Sequence, residues 1–176
     1  MVDQHDDGIW VTRCLRGDPT AFEPLVARYQ GVLFAVALRM LGNYEDARDA
    51  VQNAFVRAYE RLETCDPDRK FFSWMYRIAV NECLNTIRAR RPTEELTPDM
   101  SVDAGAFAAV EASELRQRVQ TALTSLTPEY RAVVVLRHFA DLSYEEIGES
   151  LSIPVKTVKS RLFTARERLA ALLAGS

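Results

Sequence analysis

The chain has 176 residues, which is enough for one ordinary domain or two small ones. Hydrophobic residues make up 48% of it, so packed cores can form, and a formal net charge of −3 excludes a uniformly basic nucleic-acid coat. Three widely spaced cysteines predict neither a disulfide framework nor a metal site, and they fit a reducing, cytoplasmic compartment. We also expect no signal peptide, and no stretch that approaches the length of a membrane span.

Apolar spacing and helix-capping residues predict four helices in the first half of the chain. Apolar residues recur at steps of three and four over residues 9–16, 19–41, 44–62 and 71–91. Asp18 and Asn43 stand where helices should begin, because their side chains accept hydrogen bonds from unpaired backbone N–H groups. The chain shows no long strand-like alternation, so the sequence predicts an all-α fold.

The predicted helix over residues 44–62 has a polar side opposite its apolar stripe. That side carries Asp46, Asp49, Gln52, Asn53 and Arg57. It is either a solvated face or a docking face for a partner, and periodicity alone favours the solvated face.

The predicted helix over residues 71–91 combines basic residues with aromatic and amide side chains. Residues 69–91 contain six basic residues and one acid. Interleaved with them are Trp74, Tyr76, Arg77, Asn81 and Asn85. Flat aromatic faces and amide groups suit unstacked, single-stranded bases. The alternative is that Trp74 belongs to the core and the arginines only solvate a helix end.

The composition of residues 92–112 predicts a flexible acidic linker between two domains. Acidic residues, two prolines and a glycine interrupt the helical pattern there. Residues 1–91 then form a first small helical domain, and residues 113–176 form a second. In the second domain, apolar spacing predicts helices over residues 113–126 and 131–139, ahead of a final pair of helices.

Residues 142–173 have the pattern of a helix-turn-helix. Ser143 and Glu146 form a capping box that starts a short helix. The tripeptide Ser152-Ile153-Pro154 ends it, because proline lacks an N–H group, and a second helix begins near Val155.

The second helix of this pair is predicted to read duplex DNA. Residues 153–168 contain five basic residues and one acid. Off its apolar stripe lie Lys156, Thr157, Lys159, Ser160, Arg161, Phe163 and Thr164. Basic side chains bind phosphates and guanine edges, small hydroxyls allow close approach, and Phe163 fits a thymine methyl group. The alternative is a solvated amphipathic helix whose Phe163 packs on a neighbouring loop.

Five segments of the chain, taken in order, match one family pattern. The first half contains G-D-P-T-A-F-E-P-L-V-A-R-Y, R-M-L-G-N-Y-E-D-A-R-D-A-V-Q-N-A-F-V-R-A-Y and F-F-S-W-M-Y-R-I-A-V-N. The second half contains L-T-P-E-Y-R-A-V-V-V-L-R and L-S-Y-E-E-I-G-E-S-L-S-I-P-V-K-T-V-K-S-R-L-F-T-A-R. Together they resemble the bacterial RNA polymerase sigma factors of the small, two-domain extracytoplasmic-function (ECF) type. The resemblance covers nearly all of both domains.

The resemblance implies partners and roles for the polar residues. The polar side of helix 44–62 would bind the β′ clamp helices of core RNA polymerase, and the apolar surface of the second domain would contact the β flap. Promoter DNA at the −10 element would be bound by Arg77, Asn81, Asn85 and Arg88. Promoter DNA at the −35 element would be bound by Arg137, Lys156, Thr157, Lys159, Ser160, Arg161 and Phe163. An anti-sigma factor is the expected inhibitor.

Three further implications concern single segments. The loop over residues 65–70 corresponds to the variable loop that receives a flipped base. Lys159 departs from the arginine that is common at its position, and a lysine is a point charge rather than a fork. The acidic linker would lie in a positively charged channel of the polymerase.

The sequence therefore predicts a transcription initiation factor that has no catalytic activity, cofactor or metal. It would bind core RNA polymerase and direct it to promoters, recognising the −35 element and melting the −10 element. One alternative is a stand-alone helix-turn-helix regulator with a helical sensing domain, and another is a helical adaptor that binds protein only. An enzyme is not expected, because His5 and His138 have no catalytic or metal-ligand pattern around them.

Overall fold

The structure, a computed structural model, describes residues 5–66, 70–90 and 108–174. These ranges contain eight α-helices, two short 3-10 turns and no strand, which confirms the predicted all-α fold. Domain one consists of α1 (His5–Leu15), α2 (Glu23–Leu41), α3 (Tyr44–Glu60) and α4 (Phe71–Ala89). Domain two consists of α5 (Ala108–Ser125), α6 (Pro128–His138), α7 (Tyr144–Leu151) and α8 (Val155–Ala174). The 3-10 turns are Pro19–Phe22 and Leu62–Thr64.

The helix boundaries of domain one follow from the residues that the sequence analysis singled out. The Asp18 carboxylate accepts a hydrogen bond from the Thr20 N–H group at 3.1 Å and so caps the 3-10 turn that leads into α2. Gly42 ends α2 with a φ of 71°, a left-handed conformation that glycine adopts without a steric penalty. Asn43 then starts α3, accepting from the Asp46 N–H group at 3.0 Å.

Domain one has a core between α2, α3 and α4. The alanines Ala47, Ala54 and Ala58 of α3 are fully buried, and their small side chains allow the neighbouring helices to approach closely. α1 is joined to this core by Asp7, which is 2% exposed and accepts hydrogen bonds from Arg28 and Tyr29 of α2. A buried carboxylate requires such partners.

One apolar stretch is longer than the sequence analysis expected. Pro19–Leu41 is long and apolar enough to cross a membrane by length and composition, with a mean hydropathy of 1.2. The expectation that no stretch approaches that length was therefore wrong. Leu25, Leu33 and Val36 of this stretch are fully buried in the protein core, which accounts for its apolar character.

Several large apolar residues that recur at helical spacing are partly exposed rather than buried. Their exposed fractions are 39% for Val32, 50% for Tyr44, 48% for Tyr59, 58% for Leu115 and 41% for Leu172. Periodicity gives the direction of a side chain on its helix, but it does not say whether another helix covers it. Tyr44 and Tyr59 each make an edge-to-face contact with a phenylalanine, and about half of each residue stays exposed.

The helix-turn-helix of domain two forms at the predicted residues. The Ser143 N–H group donates to the Glu146 carboxylate at 2.8 Å, and the Glu146 N–H group donates to the Ser143 hydroxyl at 3.2 Å. The capping box is thus complete. Ser152 has a φ of 56° and turns the chain toward α8. α5 begins at Ala108, within the segment predicted as linker, and the remainder of that segment lies outside the described residues.

The two domains pack against each other, an arrangement that the sequence did not predict. Gln120 of α5 is 1% exposed, and its side-chain amide donates to the Arg39 carbonyl oxygen of α2 at 3.2 Å. The same amide accepts from the Arg39 guanidinium at 3.2 Å, and that guanidinium lies 4.8 Å from the ring centroid of Phe139. Gly42 approaches domain two so closely that a Cβ there would lie 3.2 Å from Thr124.

Arg131 of α6 is buried next to the contact between α2 and α5, and it also joins the two domains. Its guanidinium donates to carbonyl oxygens at the ends of α5 and α2, those of Leu123 (2.9 Å), Thr124 (2.6 Å), Leu126 (3.0 Å) and Met40. The last turn of a helix leaves such carbonyls without partners within the helix. Burial lowers the pKa of Arg131 to about 10, with the charge of Arg90 as a second cause, so the guanidinium stays protonated at neutral pH.

Gly148→Ala should destabilise the fold, although alanine normally stabilises a helix by about 0.5–1 kcal/mol relative to glycine. A Cβ at this position would lie 2.9 Å from the Ile153 carbonyl oxygen in the turn between α7 and α8. We expect a loss of roughly 1–3 kcal/mol in the free energy of unfolding, measured by urea denaturation. The control is Gly31→Ala in α2, whose Cβ would meet nothing within 4 Å and which should gain stability. Equal effects of the two substitutions would contradict the close packing of this turn.

Candidate functional site

The polar residues predicted on α4 lie along one side of the helix. Asn81, Asn85 and Arg88 are exposed, and the Arg88 guanidinium donates to the Asn85 side-chain oxygen at 3.4 Å. Arg77 is also exposed, but it donates to the Glu149 carbonyl oxygen of α7 at 2.6 Å. The structure therefore brings these four residues together and engages one of them with domain two.

The aromatic residues of α4 divide between the surface and the core. Tyr76 is 4% exposed, so the interpretation of it as part of a base-binding surface was wrong. Trp74 is half-buried, with its ring centroid 5.7 Å from that of Phe71. Trp74 was predicted either to bind bases or to belong to the core, and each alternative is partly right. One side of its ring packs on the core, and the other side faces a cleft.

This cleft lies between α4 and α7 and has a volume of about 800 Å³. Its lining residues are Thr64, Asp66, Lys70, Ser73, Trp74, Arg77, Glu149 and Ser152. Lys70 donates to the Glu146 carboxylate at 2.8 Å, and the Ser73 hydroxyl donates to the Glu149 carboxylate at 3.2 Å. Although burial opposes it, hydrogen bonds from Lys70 and Ser143 hold the pKa of Glu146 below its usual range.

The polar side of α3 contains two kinds of residue. Asp49, Gln52 and Asn53 are exposed. Asp46, in contrast, is paired with Arg90, and Arg57 lies 3.0 Å from the carboxylate of the buried Glu82. These two ion pairs join α3 to α4, so part of the predicted docking face also holds domain one together.

An apolar groove beside this face was missed by the sequence analysis. It has a volume of about 410 Å³, lies between α2 and α3, and is lined by Val26, Gln30, Gly31, Phe34, Arg48, Val51, Gln52 and Phe55. Val56 stands nearby on α3 with 52% of its surface exposed. The sequence signal was Gly31 in the middle of an apolar helix, because a glycine there removes a side chain from the surface.

The predicted DNA-reading residues lie on the outer side of α8. Lys156, Lys159, Ser160 and Phe163 are exposed, whereas Thr157 and Arg161 are half-buried. Val158, Leu162 and Ala165 are buried on the opposite side, as their spacing predicted. Phe163 is 64% exposed, so the alternative in which it packs on a neighbouring loop was wrong.

Tyr144, at the start of α7, connects two predicted DNA contacts and was missed by the sequence analysis. The guanidinium of Arg137 lies 5.5 Å from its ring centroid, and the Lys159 ammonium group lies 5.8 Å from it. Arg137 also donates to the Leu142 carbonyl oxygen at 2.7 Å. Cation–π contacts of this kind orient flexible basic side chains.

The described residues give no sign of metal or thiol chemistry. No group of three or more His, Cys, Asp or Glu side chains in these ranges could hold a metal ion. The sequence around Cys65 is polar, yet Cys65 is only 3% exposed. Burial raises its pKa to about 11, with the charges of Asp66 and Asp7 as further causes, so the reactive thiolate is disfavoured.

Fold and surface together define a two-domain helical protein. Domain one carries a polar face on α3 and a basic face on α4, and domain two contains a helix-turn-helix with basic residues on its outer side. The chain matches the Sigma-70 region 2 family over residues 25–93 and the Sigma-70 region 4 family over residues 116–169. It is 39% identical to the ECF RNA polymerase sigma factor SigW of Bacillus subtilis (strain 168), over 88% of this chain and 89% of SigW. It is 37% identical to the ECF RNA polymerase sigma-E factor of Escherichia coli (strain K12), over 96% of this chain and 95% of that protein. The chain belongs to the ECF sigma factors.

Solved structures agree with this assignment. The structure of CnrH in complex with the cytosolic domain of CnrY has a TM-score of 0.77 and 32% identity, covering 97% of this chain and 98% of CnrH. The sigma factor RpoE in complex with the anti-sigma factor NepR, from Bartonella quintana, has a TM-score of 0.67, covering 87% of this chain and 96% of RpoE. At 21% identity, the second likeness supports the fold alone.

The protein is thus a transcription initiation factor. It binds core RNA polymerase and directs it to specific promoters. A stand-alone helix-turn-helix regulator is not favoured, because the first domain matches a sigma-factor region rather than a sensing domain.

Proposed function

We propose that the two domains divide promoter recognition between them. Domain one holds core polymerase through α3 and binds the melted −10 strand through α4, and domain two grips the −35 duplex through α8. The observation that carries this proposal is the separation of three exposed faces onto three different helices. The faces of α4 and α8 have the chemistry of their expected partner, DNA, because they expose amide and basic groups that bind bases and phosphates.

On α3, the residues proposed to bind the β′ clamp helices are Asp49, Gln52 and Asn53. They are exposed and adjoin the apolar groove that Gln52 lines, so polar and apolar contacts are available side by side. Asp46 and Arg57 act in this proposal by bracing α3 against α4.

On α4, Asn81, Asn85 and Arg88 are proposed to contact the −10 strand, and Arg77 joins them once it is released from α7. On α8, Lys156, Lys159, Ser160 and Phe163 are proposed to enter the major groove at the −35 element. Thr157 and Arg161 are half-buried and would contribute at the edges of that contact. Arg137 is proposed to act on the DNA backbone, next to Lys159 on the Tyr144 ring.

A fourth surface, between α5 and α8 of domain two, is proposed to contact the β flap. A groove of about 380 Å³ lies between α5 and α8 and is lined by Glu114, Gln117, Arg118, Thr121, Ala122, Ser125, Leu172 and Leu173. The partly exposed Leu172 gives this groove an apolar wall.

We further propose that the protein acts in the cytoplasm, without catalytic activity of its own, and is controlled by an anti-sigma factor. Both similar solved structures contain a second protein, which is called an anti-sigma factor in the case of NepR. The path of the linker through the polymerase stays a prediction, since most of that segment lies outside the described residues.

Asp49→Ala should weaken binding to core polymerase by about 1 kcal/mol without changing the free energy of unfolding. Its side chain is 65% exposed and lies 3.7 Å from Arg48, so it contributes little to the fold. The measurement is competition for fluorescent core polymerase, paired with urea denaturation. The control is Asp46→Ala, which removes the partner of Arg90 and should lower stability instead. Unchanged polymerase affinity of Asp49→Ala would argue against the docking face.

Asn81→Ala should impair promoter opening while leaving polymerase binding intact. Its side chain is exposed, so the substitution removes a base contact and not a core residue. Permanganate reactivity of unpaired thymines reports the opening, and co-elution with core polymerase reports the binding. Loss of polymerase binding would mean that the role of α4 is misassigned.

Lys159→Ala should weaken −35 recognition by roughly 1–3 kcal/mol, the range of a good base contact. Lys159→Arg is the matched control, because it keeps the charge and adds a fork that can bind guanine bidentately. Transcription from a promoter series substituted in the −35 element measures both variants. If Lys159→Ala responds to −35 substitutions as strongly as the unaltered protein, Lys159 does not read that element.

A further inference from the structure

The helix-turn-helix of domain two lies across the basic face of domain one. Lys70, Ser73 and Arg77 recur at steps of three and four, so they form one stripe at the N-terminal half of the α4 face. Each of them donates a hydrogen bond to α7, the first to Glu146 and the other two to Glu149. The C-terminal half of the same face carries Asn81, Asn85 and Arg88, and those side chains stay exposed.

The contacts made by α7 are of the kind that a nucleic-acid strand would make. The Lys70 ammonium group meets a carboxylate at 2.8 Å, the Ser73 hydroxyl meets a carboxylate at 3.2 Å, and the Arg77 guanidinium meets a carbonyl oxygen at 2.6 Å. Phosphate oxygens are bound by the same donors at the same distances. A strand that follows the whole α4 face therefore has to displace α7.

Buried polar groups form specific hydrogen bonds across the contact between the two domains. The two hydrogen bonds of the buried Gln120 amide both go to Arg39 of domain one, and the buried Arg131 guanidinium donates to the Met40 carbonyl oxygen. A buried polar group without hydrogen-bond partners is unfavourable. In the closed arrangement Gln120 and Arg131 have partners in domain one, so their hydrogen bonds stabilise that arrangement. Gly42 allows the close approach at the same place.

We propose that the free chain inhibits itself: α7 occupies the strand-binding face of α4, with Glu146 and Glu149 in the place of DNA phosphates, and the domains must separate before a strand can bind. The proposal rests on the proposed role of α4 in binding the −10 strand. On this proposal, the closed chain binds single strands weakly, and a partner that separates the two domains frees the α4 face.

The first test weakens the closed state without damaging α7. Glu146→Gln keeps the capping box, in which glutamine is an accepted partner of serine, and Glu149→Gln keeps the Arg77 contact, which uses the backbone. The matched control is Glu145→Gln with Glu167→Gln, which changes the charge equally at two exposed positions for which the described residues show no contact with domain one. Both variants are made in a Trp10→Phe chain, so that Trp74 is the only tryptophan.

The readout is quenching of Trp74 fluorescence by a short oligothymidylate at low salt. Trp74 lines the cleft that α7 covers, so its quenching reports binding at α4 and not at the helix-turn-helix. We expect the Glu146→Gln, Glu149→Gln chain to bind about two- to tenfold more tightly than its control, because it loses the Lys70–Glu146 ion pair and weakens the hydrogen bond from Ser73 to Glu149. Equal affinity of the two chains would overturn the proposal.

The second test traps the closed state reversibly. Lys70→Cys and Glu149→Cys replace two exposed residues that line the cleft between α4 and α7. In the same Trp10→Phe chain with Cys14→Ser they are joined by a short, reducible bismaleimide, and the remaining Cys65 and Cys83 are buried. The linked protein should not show oligothymidylate quenching, and reduction should restore it. Quenching that is the same before and after reduction overturns the inhibition but leaves strand binding by α4 in place. No quenching in any chain, linked or released, would show that α4 does not bind single strands, and both proposals would then fail.

Discussion

A buried guanidinium must keep its hydrogen-bond partners, and in this protein that requirement ties the two domains together. Arg131 lies where the last turns of α5 and α2 meet, and it donates to three carbonyl oxygens of domain two and one of domain one. Three of the four bonds stay within domain two and hold the turn between α5 and α6. The fourth bond makes the domain contact specific, because only one approach of α2 brings its end within reach.

Ion pairs within domain one fix the relation between its two working faces. Asp46 pairs with Arg90, and Arg57 pairs with the buried Glu82, so α3 is braced against α4 at two levels. These ion pairs hold the polar face of α3 and the basic face of α4 at a fixed separation. Such bracing suits the proposed roles of the two faces, since it would keep a bound polymerase and a bound DNA strand at a constant distance.

The charge distribution explains how an acidic protein can be a DNA-binding one. The chain has a net charge of −3, yet 11 of its 22 basic residues lie between residues 69 and 91 or on α8. The acidic α7 lies next to α8 in the helix-turn-helix and against α4 across the domain contact. One short helix is thus part of the helix-turn-helix and also places its carboxylates against the basic face of α4, a contact that is lost if the domains separate.

The sequence by itself determined the elements, because caps, glycines and apolar spacing act over only a few residues. It predicted the positions of the eight helices to within a few residues and the complete capping box of Ser143 and Glu146. It also predicted which side of α8 is exposed. It also identified the family, since long motifs appear in a fixed order.

Only the tertiary structure decided which polar residues are free to bind and which are engaged, as Asp46, Arg57 and Arg77 are. Those roles depend on partners about 25 to 72 residues away in the chain, and helical periodicity carries no information over that distance.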